Sequence, residues 1–72
     1  MIDEWLEQFE QLRRAGAIVL LKWDGQRAAD PYTVVMTRAD TDFVFRRDTA
    51  NLVAAIRDGI AAYRAAHPVA AG

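Results

Sequence analysis

A chain of 72 residues with no cysteine and a formal net charge of −1 has room for one small domain. It excludes disulfides and thiolate zinc sites, and it carries no overall field that would gather polyanions or polycations. Its 53% hydrophobic content is high for so short a chain. A single core at this size supplies only about 3 to 5 kcal/mol, so self-association is the expected further support.

The N-terminus, MIDEWLEQFE, is acidic and amphipathic, where a secretory signal starts basic and continues apolar. No apolar run approaches the roughly 18 residues of a membrane span. The expectation is a soluble cytoplasmic protein, with residues 1–67 as one α+β domain and residues 68–72 as a frayed tail.

Ile2, Trp5, Leu6, Phe9 and Leu12 recur at spacings of three and four, which predicts a helix from Ile2 to Ala15 with one apolar stripe. Acidic Asp3, Glu4, Glu7 and Glu10 lead, and Arg13 and Arg14 close, the order that complements a helix dipole. Gly16 supplies a left-handed stop. The run Ala17 to Trp23, AIVLLKW, is too short for an independent helix and rich in strand formers. Its missing alternation predicts a strand buried on both faces.

Asp24-Gly25 and Asp30-Pro31 mark a loop. Tyr32 to Thr37 then reads as a second strand, Arg38 to Asp40 as a short connection, and Thr41 to Arg46 as a third strand returning antiparallel. Asp48 or Thr49 is the expected cap of a second helix, which carries Leu52, Val53, Ile56, Ile60 and Tyr63 on one stripe and ends near Ala66, before Pro68. Gly59 lies beside that stripe, at a cost of about 1 kcal/mol in helix propensity against alanine. A close helix contact would account for it.

The order αβββα predicts a two-layer α+β domain, a three-stranded antiparallel meander with both helices on one face. Tyr32, Val34, Met36, Phe43 and Phe45 should face the helices, joined from the first strand by either Ala17, Val19, Leu21 and Trp23 or Ile18, Leu20 and Lys22, of which the first set is preferred because it keeps Lys22 in water. Ile18, Leu20, Val35 and Val44 are left on the open face, ringed by Lys22, Thr33, Thr37, Asp42 and Arg46. An apolar centre inside a polar rim is the anatomy of an interaction site. Burying four such side chains contributes roughly 6 to 8 kcal/mol before association costs. In a meander the first strand is also an edge, a second route to self-pairing. The expected function is therefore a non-enzymatic interaction or regulatory module, a homodimer through its sheet face or edge strand, with a heterologous protein as the other possible partner.

Catalytic chemistry finds little material. Serine and cysteine are absent, and the one histidine, His67, precedes Pro68 at a helix end. The aspartates fall in turns and at strand ends with no spacing that selects a pair, and neither a calcium loop nor a glycine-rich phosphate loop is present. No metal or cofactor is implied. Trp23, Asp24, Gly25 and Arg27 mark the 24–30 loop as a weaker candidate for a small-ligand site.

The αβββα order also resembles that of double-stranded-RNA-binding domains, over most of the chain and in topology only. The resemblance implies RNA contact from a lysine-rich start of the second helix and the loop between the first two strands. Here that helix start reads Asp48-Thr49-Ala50-Asn51, and Lys22 is the chain's single lysine. A nucleic-acid reading therefore falls on Arg38, Arg46 and Arg47.

Overall fold

A computed structural model describes residues 2–68; the expected tail at 69–72 lies outside the described residues. Helix α1 spans Ile2–Arg14, strands β1, β2 and β3 span Ala17–Trp23, Tyr32–Arg38 and Val44–Thr49, and helix α2 spans Leu52–Ala66. The strands form one antiparallel sheet in the order β1-β2-β3. Both helices pack on one face, α1 over β1 and α2 over β2 and β3.

Val34 and Met36 on β2 are completely buried, under Ala55, Ile56, Ile60 and Tyr63 of α2 and beside Leu12 of α1 and Ala17 of β1. Gly59 allows α2 to come this close. A Cβ there would stand 2.9 Å from the Met36 Sδ and 3.0 Å from a Phe45 ring carbon, tighter than van der Waals contact permits. The close contact expected at Gly59 is thus made with the sheet. Gly16 adopts φ 100° after α1, its N–H donating to the Arg13 carbonyl at 2.9 Å. Glycine reaches that conformation without a Cβ penalty.

Three expectations are corrected. β1 pairs only with β2 and is an edge strand, so the run is not buried on both faces: Ile18 and Leu20 are 50% and 59% exposed. Its missing alternation reflects an apolar outer face left open. β3 starts at Val44 instead of Thr41, because residues 39–43 are held in a turn. Arg38 grips Asp40, the Thr41 N–H donates to the Arg38 carbonyl, and the Thr41 hydroxyl accepts from the Phe43 N–H at 3.2 Å. Phe43 still packs inward, edge-on to Tyr63 at 5.4 Å.

The α2 cap is neither Asp48 nor Thr49, both of which belong to β3. Asn51 caps the helix through its side-chain oxygen, which accepts from the Ala54 N–H at 3.1 Å. Thr49 organises the approach, its hydroxyl accepting from the Asn51 N–H at 2.9 Å. At the other end of α2, His67 closes the helix. Its backbone N–H donates to the Tyr63 carbonyl, and its ring lies against Phe43 and Tyr63.

Candidate functional site

The strand register sorts every sheet residue onto one of two faces. Val19, Met36 and Phe45 stand in one row toward the helices, and Leu21, Val34 and Arg47 in the next. The outer face carries three rows: Ile18, Thr37 and Val44; Leu20, Val35 and Arg46; and Lys22, Thr33 and Asp48. The four residues expected to form an interface therefore share the outer face, Leu20 and Val35 in its middle row and Ile18 and Val44 at either side of Thr37 in an end row. Val44 is 68% exposed and Val35 is half-buried among its neighbours. Both helices lie on the opposite side. Asp42 lies in the turn before β3 rather than in the rim of strand residues.

One end of this face is polar and internally paired. The buried Thr33 hydroxyl donates to Asp48 Oδ1 at 2.6 Å. Arg27 from the 24–30 loop and Arg46 from β3 lie 3.5 and 3.8 Å from the same oxygen. The Thr33 hydrogen bond, followed by the charges of Arg27 and Arg46, holds the Asp48 carboxyl below the usual carboxylate range. Lys22 sits 3.6 Å from Asp24. The outer face thus runs from an aliphatic end at Ile18 and Val44 to a charged end at Lys22 and Asp48.

In the loop considered for a ligand, Asp24 organises the turn, while the Arg27 side chain reaches Asp48 across the sheet. Asp24 Oδ1 accepts from the Gln26 N–H, the Asp24 carbonyl accepts from the Arg27 N–H, and the Asp24 N–H donates to the Pro31 carbonyl. Asp30 takes a left-handed φ of 48°, a conformation aspartate tolerates better than most residues. Trp23 faces the helix side by register, yet it is 61% exposed and meets Tyr32 edge-on.

The three arginines of the nucleic-acid reading are not brought to one surface. Arg46 faces outward beside Asp48. Arg47 faces the helices, paired with Asp58 of α2 and resting over the Phe45 ring at 5.0 Å. Arg38 lies at the far end of β2 on the helix side, bound to Asp40. That pairing raises the Arg38 pKa, with a smaller contribution from Tyr63.

A second apolar region was not foreseen from sequence. α1 packs over β1, so only Leu12 of its stripe is buried, while Ile2 and Leu6 stay exposed. They flank a cleft of about 410 Å³ between the first turns of α1 and α2, with Trp23 and Val53 at its margin. The helical period showed which residues share a stripe. It gave no measure of how much of the stripe a neighbour would cover.

Among the described residues, no group of three or more His, Asp or Glu side chains is placed to hold a metal ion, and no helix is long and apolar enough to cross a membrane. No family model matches the chain, and comparisons with curated proteins and with solved structures return no match.

Proposed function

We propose that this domain is a non-enzymatic interaction module that works by self-association through the outer face of its sheet. The observation that carries this reading is the uncovered row structure around Ile18, Leu20, Val35 and Val44, with three of the four at least half exposed. Water contact on so much contiguous aliphatic surface is unfavourable, and a partner of matching shape removes it. The cysteine-free composition fits a reducing compartment such as the cytoplasm.

The face is favoured over the free edge of β1 by the position of α1. Edge pairing sets two strands about 4.8 Å apart, and α1 lies over β1. Two copies of α1 would then be forced closer than the 8 to 10 Å that packed helices need. Sedimentation equilibrium tests the reading. Wild-type protein is expected to show a reversible monomer–dimer equilibrium that Leu20→Glu shifts to monomer with its far-ultraviolet circular dichroism retained. A wild-type chain that stays monomeric at the highest concentration contradicts it.

A further inference from the structure

We infer that the cleft between the C-terminal ends of α1 and α2 binds a small organic carboxylate, an anionic head on a short apolar body that accepts from the Tyr63 hydroxyl, Arg38 and Arg64. This goes beyond self-association and does not depend on it. The cleft encloses about 360 Å³, near the lower end of the roughly 300 to 1,000 Å³ of small-molecule sites. It admits only a small guest.

Tyr63 carries the argument. It is 3% exposed, and its hydroxyl is buried with no hydrogen-bond partner among the described residues, where the large majority of buried side-chain polar atoms find one. Its polar neighbour in the cleft is the Arg38 guanidinium, which can only donate. The hydroxyl hydrogen therefore lacks an acceptor, and no Asp or Glu among the described residues lines the cleft to supply one.

The charge around the hydroxyl has the matching sign. Arg38 engages Asp40 through Nε and Nη2, which leaves Nη1 outside that pair. Arg64 lines the same cleft, is exposed, and has no ion pair among the described residues. Two guanidinium charges against the one carboxylate of Asp40 leave a positive charge uncompensated. Helix C-termini carry partial negative charge that opposes an anion, but here the ends are capped. The Tyr63 carbonyl accepts from the His67 N–H, and the Gln11, Leu12 and Arg13 carbonyls accept from the Ala15 and Gly16 N–H groups.

Leu12, Ala15 and the Tyr63 ring supply an apolar wall. An inorganic anion would leave that wall against water, and a neutral apolar guest would leave the hydroxyl hydrogen without an acceptor. A carboxylate with a short apolar body meets both needs. The hydroxyl is out of reach of water in the unliganded chain, so a ligand oxygen meets it only after a side-chain shift at the rim. Arg64 there has no ion pair to break.

Sodium benzoate, benzyl alcohol and inorganic phosphate, each titrated into isotope-labelled chain at constant ionic strength, test the assignment by nuclear magnetic resonance. Benzoate is expected to shift the Leu12, Ala15, Tyr63 and Arg64 signals saturably, and to bind at least about tenfold more tightly than benzyl alcohol or phosphate. Tyr63→Phe should weaken benzoate at least about fivefold. Its denaturation midpoint without ligand should stay level or rise, because no native hydrogen bond is lost. Arg64→Gln, at an exposed position, should also weaken benzoate at least about fivefold. Lys22→Gln, at the opposite end of the sheet, should change it less than about twofold.

Benzoate bound no better than phosphate, or not saturably, would make the cleft a diffuse counterion site. A lowered midpoint in ligand-free Tyr63→Phe would show the hydroxyl already satisfied, by a buried water. Either result, or undiminished benzoate binding by Tyr63→Phe or Arg64→Gln, overturns the assignment and leaves self-association standing.

Discussion

Val34 and Val35 are identical side chains one position apart on the same strand, and the sheet sends them into different environments. Val34 is completely buried beneath α2, while Val35 sits in the middle of a face that both helices leave bare. The same contrast holds across β1 and β3, where Val19, Leu21 and Phe45 pack against the core and Ile18, Leu20 and Val44 face outward. Apolar content alone therefore does not mark the core of this protein. The inner set forms the core, and the outer set remains at the surface.

The largest expected effect that would sharpen this contrast is at Met36. Met36→Ala should cost about 2 to 5 kcal/mol of folding stability in denaturant unfolding, from lost burial plus a cavity. Leu20→Ala, at 59% exposure, should cost under about 1 kcal/mol in dilute protein. Equal losses would break the distinction between the faces.

Gly59 probes the inner face from the helix side. Gly59→Leu should destabilise by about 1 to 3 kcal/mol, because its side chain must displace the buried Met36 and the adjacent Phe45 ring. Gly59→Ala should cost less than Gly59→Leu, since about 1 kcal/mol of gained helix propensity offsets part of the overlap of its methyl group with Met36 and Phe45.

The polar end of the outer face gives a smaller effect. Thr33→Val removes the hydrogen bond to Asp48 and should cost about 1 kcal/mol. A pH dependence follows from the same carboxylate. Its folded-state pKa is depressed, so its contribution is fully present above the unfolded value of about 3.9 and is lost as pH falls through the folded value. Denaturation midpoints should therefore fall as pH drops below about 4, and fall less steeply in Asp48→Asn.

The element order and the two-faced sheet were legible because both rest on periodicity. Spacings of three and four placed the helices, and the strict alternation of a strand kept Ile18, Leu20, Val35 and Val44 on one face even though β3 begins three residues later than expected. That late start was not legible, because it depends on Thr41 and Arg38 meeting in a turn. The cap moved for a related reason. Asp48 has the chemistry of a cap but is engaged by Thr33, Arg27 and Arg46 across the sheet, contacts between residues far apart in sequence.

The grouping of Arg38, Arg46 and Arg47 failed on alternation itself, since adjacent strand residues such as Arg46 and Arg47 point to opposite faces. The cleft beside Ile2 and Leu6 was invisible because the sequence does not say how far α1 stands from α2.

The most direct test compares the two exposed apolar regions in one experiment. A soluble paramagnetic agent broadens methyl signals it can approach, and it can be applied to methyl-labelled protein over a hundredfold concentration range. As concentration rises, Ile18, Leu20 and Val44 are expected to become shielded together, while Ile2, Leu6 and Val53 stay accessible. Shielding of the helix-side methyls instead, or no change in any of them, would contradict the assignment of the outer sheet face as the working surface.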